Sequence, residues 1–452
     1  MKNPAFSMLE LFAHIHQALN EIVWGMPLII LILGAGVYLS YRTGFIQVTK
    51  IVLIAKSIVS GFIYQKKGEG DISPFQALTT ALAATVGTGN IAGVATAISL
   101  GGAGAMFWMW FSAFFGMVTK YSEIVLAVHF REKKPGGRIV GGPMYFLQKG
   151  LNSRILAVLF AFFGSLAAFG IGNMVQANSV ADAVNLAFGV PPFMTGIILA
   201  VIAGAVILGG IKRIASFTEK LVPVMALIYV LGAVTILLLN MEFIPRALAS
   251  IFNLAFTPEA AAGGFVGAGI RETVRFGVAR GIFTNEAGLG SASIAHASAR
   301  THHPAAQGAW GIIEVFIDTL VICTLTALVI LVTGSIESGL EGAALTTEAF
   351  NRGLPGPGGL IVAFGLIFFA FTTLLAWSFY GEKCFEFLFG TRASLRYRQV
   401  WIPFILVGAV GGLRGIWNLA DTLNGLMAVP NLVGLVGLSG LVVKLTKEYF
   451  KR

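Results

Sequence analysis

The sequence predicts an all-α integral membrane protein with about eleven transmembrane helices. We expect a five-plus-five inverted repeat with two unwound helices, preceded by one peripheral N-terminal helix. Hydrophobic residues make up 56% of the chain and charged residues 12%, about half the roughly 25% charged share of soluble domains. Apolar runs of about 20 residues match the length that a helix needs to cross a bilayer. The third observation is a glycine-interrupted motif that occurs twice.

The apolar runs, separated by proline, glycine and charged residues, predict the helices in order along the chain. Each run is far too long for a barrel strand, and only helices and closed barrels satisfy their backbone polar groups in lipid. The fourth and ninth runs are long enough to tilt or to protrude. The predicted helices cover 22–41, 75–100, 104–129, 154–187, 193–211, 218–240, 273–299, 308–333, 358–388, 401–420 and 424–446.

Lysine and arginine residues are distributed unevenly between the loops on the two sides of the membrane. One side carries 23 of them and the other side six. Because cytoplasmic loops carry such an excess, the C-terminus is predicted in the cytoplasm and the N-terminus outside. The net charge of +10 then reflects topology and attraction to anionic membrane lipid, so no nucleic-acid partner is expected. The basic loops are 42–67, 131–154, 212–220, 300, 383–398 and 444–452.

The repeated motif lies at residues 85–97 and again at 285–292. Both copies contain the pattern Asn-x-Ala-Gly-x-small-hydroxyl-Ala, which begins at Asn90 and at Asn285, an offset of 195 residues. Paired glycine-interrupted segments in two halves of a chain are typical of transporters whose site is formed by unwound helices at the bilayer midplane. The motif therefore indicates a transporter.

The whole chain, 1–452, is interpreted as a single polytopic domain. Residues 1–73 form the peripheral helix and a cytoplasmic loop, and the two repeats cover 74–240 and 272–446. Because each repeat has an odd number of helices, the second repeat enters the membrane from the opposite side. The repeat is therefore inverted.

The segment from Val86 to Asn90 is the first candidate for an unwound site. Gly87 and Gly89 each weaken a helix by roughly 1 kcal/mol relative to alanine. Unwinding would expose carbonyl groups to a cation and direct N–H groups of the following half-helix toward a carboxylate. The alternative is a packing face, since Gly89 and Gly93 have Gly-x-x-x-Gly spacing.

Polar residues in other apolar runs are further candidates. Glu286 needs a partner, a proton or water in lipid, and Arg275 or Arg280 could pair with it. Its role is left open between a functional one, in gating or ion coupling, and a structural one. Gln176 either contacts substrate or joins helices. Adjacent Thr372 and Thr373 could supply hydroxyl ligands to a hard cation or bond their own helix. Trp377 either walls a small substrate or packs in the core.

Three other sequence features could indicate a metal site, a proton relay or ATP hydrolysis. His296, His302 and His303 lack the spacing of a defined site, so no transition metal is expected. Intramembrane Lys120, Glu123, Glu314 and Asp318 could relay protons, but internal pairing is favoured. The chain has no Gly-x-x-x-x-Gly-Lys-[Ser/Thr] phosphate loop, which argues against ATP as the driving force.

Four runs of residues, in this order, resemble the alanine or glycine:cation symporter family of prokaryotes. The runs are 87–95, 104–110, 141–145 and 283–292. The resemblance implies eleven helices in the leucine-transporter fold and the uptake of alanine or glycine with sodium, sometimes with protons. It also implies a multi-pass protein of the inner membrane, with sodium as the coupling ion. No cofactor, no enzymatic activity and no obligatory protein partner are expected.

The same resemblance implies a set of site residues. Backbone amides near Thr88 and Gly89, with Asn90 beside them, would hold the substrate carboxylate. The sodium site would be formed by the carbonyls of Ala83 and Val86 with the hydroxyls of Thr372 and Thr373. The pocket would be lined by Gln176, Phe283, Asn285 and Trp377.

Other functions are compatible with the same sequence features. A symporter of the same fold could carry another small neutral solute or couple to protons. An ion channel or a membrane enzyme is disfavoured, because the chain lacks a Thr-Val-Gly-Tyr-Gly filter and a convincing nucleophile-base pair.

Overall fold

A computed structural model describes residues 23–63, 68–134, 136–257, 269–411 and 414–451. Its described part is built almost wholly from helices, as predicted; a two-stranded antiparallel sheet (β1 Glu132–Lys133, β2 Ile139–Val140) lies in one loop. The first ten helices are α1 Met26–Thr43, α2 Ile51–Ile63, α3 Pro74–Thr85, α4 Val94–Gly101, α5 Ala105–His129, α6 Pro143–Lys149, α7 Arg154–Ala167, α8 Val175–Phe188, α9 Pro192–Ile207 and α10 Gly210–Leu239. The others are α11 Ile244–Leu254, α12 Ile270–Asn285, α13 Ala292–Ala297, α14 Pro304–Val315, α15 Thr324–Val332, α16 Gly342–Gly353, α17 Pro357–Phe389, α18 Ala393–Val410, α19 Arg414–Gly437 and α20 Ser439–Phe450. Short turns lie at Ile46–Thr49, Met241–Phe243 and Ser335–Ser338, and π-helical segments at Gly89–Gly93, Ala168–Met174 and Phe316–Cys323.

The first predicted broken helix is broken in the structure. It begins with a capping box, in which Ser73 and Gln76 satisfy each other's backbone N–H groups. Helix α3 ends at Thr85, Val86 is extended, and the chain resumes as a π-helical turn that leads into α4. The two halves meet at an angle of 51°. The glycine pair therefore marks a real interruption of helical winding.

The second predicted broken helix is interrupted at the corresponding place. Helix α12 ends at Asn285, and α13 begins only at Ala292. Between them Glu286, Gly288 and Gly290 have φ angles of 54°, 97° and 82°. A right-handed helix cannot continue through left-handed backbone, so the residues between the halves are held in an irregular loop.

The two broken helices lie close to α17 and α5, respectively. Helix α3 packs between α10 and α17, while α12 packs against α4 and α5. Helices α14 and α15 are joined by the π-helical segment Phe316–Cys323, which contacts the π-helical turn of the first break and α12 before the second. The core therefore brings both breaks together around this segment.

Several predicted helix boundaries are wrong. The prediction starts one helix at 218 and another at 401, but α10 starts at Gly210 and α18 at Ala393. Charged residues near these starts look like loop residues in the sequence, yet Arg398 lies inside α18, where it pairs with Glu382. The helix predicted at 424–446 is divided at Leu438 into α19 and α20.

The number of membrane spans stays a prediction. Among the described residues, seven helices are long and apolar enough to cross a membrane, and the bent α3–α4 pair could make an eighth. Helix α9 is apolar but shorter. Helices α2, α6, α11 and α16 were not predicted as elements, and the start of the chain up to residue 22 lies outside the described part.

Candidate substrate and cation site

Two cavities meet at the helix breaks. A wide cavity of about 870 Å³ opens at the end of the molecule formed by the loops after α8 and α15. A much smaller pocket lies deeper, between the breaks and α17. Thr88, Gly89, Ile171 and Phe283 line both of them. Ile171 and Phe283 are bulky, so they form the wall between an entrance and an inner pocket.

The predicted cation site is assembled in part. The Thr373 hydroxyl lies 3.0 Å from the Ala83 carbonyl oxygen and 3.4 Å from that of Ala84, at the end of α3. Val86, where the helix has opened, is buried beside this contact. The Thr372 hydroxyl instead lies 3.8 Å from the Met225 sulfur on α10 and bonds the Phe369 carbonyl. Only one of the two adjacent threonines therefore faces the break.

The inner pocket contains buried oxygen atoms without protein partners among the described residues. The side-chain nitrogen of Gln176 donates to the Ile171 carbonyl at 3.0 Å, which leaves its Oε1 unpaired. Asn424 Oδ1 is likewise buried and unpaired. Both residues line the pocket. Carbonyl oxygens of this kind can accept hydrogen bonds from an ammonium group.

Asn424 was not predicted as a site residue. The only sequence signal is an amide within an apolar run, and the run was predicted to begin at that residue, where an amide is unremarkable. The structure places it inside α19 instead, ten residues after the helix begins. Its position in the pocket depends on how α19 packs against the π-helical segment Ala168–Met174.

Trp377 and Glu286 form the other wall of the pocket. The indole Nε1 donates to Glu286 Oε1 at 2.9 Å, and the Ser291 hydroxyl donates to Oε2. Gly172 on the facing π-helical segment leaves room for the indole, since a Cβ at that position would clash with Trp377. The expected pairing of Glu286 with an arginine is wrong, because Arg275 pairs with Glu272 and Arg280 lies over the Phe283 ring.

The two asparagines of the repeated motif do not line either cavity. Asn90 Oδ1 accepts from the Gly87 N–H at 2.9 Å, and Asn285 Oδ1 accepts from the Ala287 N–H at 3.0 Å. Each amide oxygen thus satisfies a backbone donor that the break leaves unpaired. Asn90 bonds a backbone group three residues before it and Asn285 one two residues after it, and both contacts support a structural role over contact with substrate.

One pair of residues connects both asparagines. The side-chain nitrogen of Asn90 donates to Asp318 Oδ1 at 2.7 Å, and that of Asn285 donates to Thr319 Oγ1 at 3.1 Å. Thr319 Oγ1 lies 2.8 Å from Asp318 Oδ2. A continuous hydrogen-bond chain therefore runs from the first break to the second through the π-helical segment Phe316–Cys323.

Lys120, Glu123 and Glu314 are paired with other buried side chains or with backbone. Glu123 Oε1 accepts from the N–H groups of Gly288 and Gly290, at 2.9 and 3.1 Å. Glu314 lies 3.2 Å from Lys120 and 3.0 Å from His296. These contacts agree with internal pairing rather than a free relay. They hold the second break against α5 and α14.

The three histidines of the sequence analysis do not form one cluster. His296 is buried and bonded to Glu314 and Gln307. His303 caps the start of α14, where its Nδ1 accepts from the Ala305 N–H, and its ring stacks on Tyr449. His302 also lies near the Tyr449 ring, with centroids 6.3 Å apart, so His296 is separate from the other two histidines.

The end of the molecule opposite the wide cavity is closed by a backbone clasp. Residues 69 and 72, just before α3, form β-bridges with residues 301 and 299, just after α13. The Arg131 guanidinium donates to the carbonyls of Glu69, Ala297 and Ala299, at 2.8 to 3.3 Å. Burial lowers the pKa of Arg131, and the negative charges of Glu69 and Asp71 oppose that change. The clasp ties the two broken helices together at this end.

Replacing Arg131 by alanine is expected to loosen the clasp. Each charge-assisted hydrogen bond of Arg131 contributes about 1.5 kcal/mol or more. Losing all three should therefore raise the fraction of molecules in which the buried end of α13 is exposed at least tenfold. The measurement is the rate at which a thiol reagent labels an Ala295→Cys variant. The native cysteines, Cys323 and Cys384, are buried and give the background labelling. Lys133→Gln is the control, since Lys133 meets Glu69 only through an exposed pair. Equal labelling in both variants would show that Arg131 does not hold the clasp.

Comparison with known proteins agrees with this geometry. A solved structure of MhsT in complex with L-phenylalanine matches with a TM-score of 0.56 at 13% identity, over 84% of this chain and 99% of that one. An Eremococcus coleocola manganese transporter matches with a TM-score of 0.51 at 14% identity, over 82% and 78%. These similarities show the fold, which is that of the leucine transporter as expected from the resemblance.

Sequence relatives cover nearly the whole chain. The sodium/alanine symporter AgcS of Methanococcus maripaludis is 51% identical over 97% of each chain. The probable sodium/glutamine symporter GlnT of Bacillus subtilis is 38% identical over 98% of this chain and 92% of its own length. The model of the sodium:alanine symporter family matches residues 9–452. This chain therefore belongs to the sodium:alanine symporter family.

Proposed function

We propose that the protein is a secondary active transporter that imports small neutral amino acids, alanine and glycine, together with sodium. The observation that best supports this function is the inner pocket. There the Thr373 hydroxyl contacts the open end of α3, and the side chains of Gln176 and Asn424 present unpaired oxygens. The pocket volume is about 20 Å³, so it would have to widen to bind a cation and a zwitterion side by side. Family membership supports the same function.

The substrate site is divided by charge. The backbone of Thr88 and Gly89 begins the half-helix that follows the first break, and the positive end of a half-helix favours a carboxylate. The Gln176, Asn424 and Glu286 oxygens lie on other walls of the same pocket and suit an ammonium group. Asn90 and Asn285 are proposed to stabilise the two helix breaks and not to contact the substrate.

Sodium is proposed to bind the carbonyls of Ala83 and Val86 together with the Thr373 hydroxyl. Oxygen ligands from backbone and hydroxyl groups suit a hard cation. An ion at this place would hold the end of α3 against α17 and so stabilise the neighbouring backbone of Thr88 and Gly89. Substrate binding would then be favoured by the bound ion, which is the physical basis of coupling.

We infer the direction of transport from the two ends of the molecule together with the predicted orientation. The wide cavity opens on the side predicted to be outside, and the clasp closes the side predicted to be cytoplasmic. Substrate would enter past Phe283, and release would require the clasp to open. The proposed location is a prokaryotic inner membrane, with the N-terminus outside and the C-terminus in the cytoplasm.

The sodium gradient supplies enough free energy for concentrative uptake. One sodium ion crossing 100 mV releases about 2.3 kcal/mol, and a tenfold concentration gradient adds about 1.4 kcal/mol. One ion per substrate could therefore sustain accumulation of several hundredfold.

Uptake of labelled alanine and glycine into proteoliposomes tests the function. We expect accumulation that requires an inward sodium gradient and that rises with a negative internal potential. Uptake driven by a proton gradient alone would assign proton coupling instead. Sodium flux that does not respond to substrate would identify a channel, and chemical conversion of the substrate would identify an enzyme.

Trp377→Ala is expected to widen the substrate range. The indole fills one wall of the inner pocket beside Gly172, and its removal leaves space for a longer side chain. Competition by larger neutral amino acids, such as leucine, against labelled alanine uptake measures the change. Trp110→Ala is the matched control, since Trp110 bonds Thr324 and does not line the pocket. An unchanged competition profile would remove Trp377 from the substrate wall.

A further inference from the structure

A third cavity lies away from the transport site, where α17 ends and α18 begins. Its volume is about 440 Å³, and the side chains that matter for its chemistry are Phe169, Phe385, Phe389, Tyr397, Arg392 and Arg396. Phe169 and Phe385 each pack on Tyr397, at ring distances of 4.9 and 5.3 Å. The cavity therefore has an aromatic floor and two cationic groups.

The cavity opens toward the lipid-facing surface of the molecule. The exposed fractions of Phe389, Leu395 and Val400, on and beside its rim, are 66%, 54% and 48%. Apolar side chains this exposed at the end of a membrane helix are expected to contact acyl chains. The loop containing Arg138 reaches this end, where Arg138 lies 3.5 Å from Glu386. The cavity is thus at the basic end of the protein, near the membrane surface.

Nearby acidic residues are already neutralised by other cations. Glu382 is bonded by Arg398 and Lys383, at 2.7 and 3.2 Å. Glu386 is bonded by Lys383 at 2.6 Å and by Arg138. Within the described part of the chain, neither arginine of the cavity has a carboxylate in salt-bridge range. The two glutamates are therefore already matched by other cations, and the positive charges of both cavity arginines stay uncompensated.

The two cavity arginines also repel each other. Arg392 immediately precedes α18 and Arg396 lies in its first turn, four residues later, so the two side chains project on one face of the helix. Like charges at this spacing are destabilising, whereas an anion between them would be bound by both. Guanidinium groups bind phosphate through paired hydrogen bonds.

We propose that this cavity binds an anionic phospholipid of the membrane leaflet at the basic end of the protein. Arg392 and Arg396 hold the phosphate, and an acyl chain lies over the aromatic floor formed by Phe169, Phe385 and Tyr397. The apolar rim selects a lipid over free phosphate, since phosphate alone would leave these aromatic groups uncovered. The site touches the end of α17, the helix that also carries Thr373 about 24 Å away along its axis.

Lipid retention by the full-length protein tests the proposal. The protein is exchanged into nanodiscs of phosphatidylcholine with a minor fraction of phosphatidylglycerol, and bound lipid is measured by native mass spectrometry. Each basic residue near a membrane surface contributes about a fivefold increase in affinity for anionic lipid. We therefore expect Arg392→Gln/Arg396→Gln to bind phosphatidylglycerol about 30-fold more weakly than wild type.

Lys212→Gln/Lys220→Gln is the matched control, because it removes the same charge from exposed positions near the start of α10 that do not line the cavity. An equal loss in this control would overturn the proposal, since the effect would then come from net charge. Phe389→Ser should weaken lipid retention while leaving both arginines in place. The proposal would also be overturned if inorganic phosphate displaced phosphatidylglycerol with the same affinity as the lipid itself. Retention of phosphatidylcholine equal to that of phosphatidylglycerol would overturn it as well.

Discussion

Replacing Thr373 by valine is expected to raise the sodium concentration needed for half-maximal uptake by about ten- to a hundredfold. Valine keeps the branched shape but lacks the hydroxyl, which lies 3.0 Å from the Ala83 carbonyl at the first break. The loss of one buried polar interaction is worth about 1–3 kcal/mol, which gives this range. The measurement is alanine uptake in proteoliposomes as a function of external sodium.

Thr372→Val provides a matched control within the same helix. It makes the same chemical change one residue away, where the hydroxyl faces Met225 and not the break. We expect its sodium dependence to stay within a few-fold of wild type. If Thr372→Val and Thr373→Val change sodium dependence equally, the cation does not lie at the contact between Thr373 and Ala83.

Asp318→Ala is expected to abolish most transport without removing any group that lines the pocket. Asp318 connects Asn90 to Thr319, and through Thr319 to Asn285, so its loss separates the two breaks. A buried amide donor of Asn90 would be left without this acceptor, at a cost of about 1–3 kcal/mol. We expect a lower melting temperature and an alanine uptake rate at least tenfold lower.

Asp318→Asn separates hydrogen bonding from charge in the same position. Its oxygen can still accept from Asn90, and its nitrogen can donate to the Thr319 hydroxyl, so the connection between the breaks can be kept. If hydrogen bonding is what matters, this variant should recover a large part of the transport lost in Asp318→Ala. Wild-type uptake in Asp318→Ala itself would mean that the two breaks do not depend on this connection.

The positions of the two helix breaks could be predicted because their cause is local. Gly87 and Gly89 in the first break, and Gly288 and Gly290 in the second, permit backbone conformations that disrupt a helix. The same local reasoning was less successful at helix ends near charged residues. Arg398 lies inside α18 and bonds Glu382, sixteen residues earlier, and the residues around Arg398 in the sequence do not indicate this partner.

The site was predicted only in part because neighbouring residues on a helix point in different directions. Thr372 and Thr373 differ by about 100° around α17, so one faces the break and the other faces α10. Asn90 and Asn285 were predicted to contact substrate, but the structure turns both amides toward backbone N–H groups and α14–α15. Phe283, Gln176 and Trp377 do line the inner pocket.

The amino-acid sequence by itself determined that this chain lies in a membrane, is helical, and is interrupted at two related places, because composition and backbone preference act along the chain. The tertiary structure decided which polar groups meet. Asn90 bonds Asp318 across 228 positions, and Thr373 meets Ala83 across 290. Such contacts depend on how whole helices pack, because a buried polar group takes whichever partner the packing brings within hydrogen-bond distance.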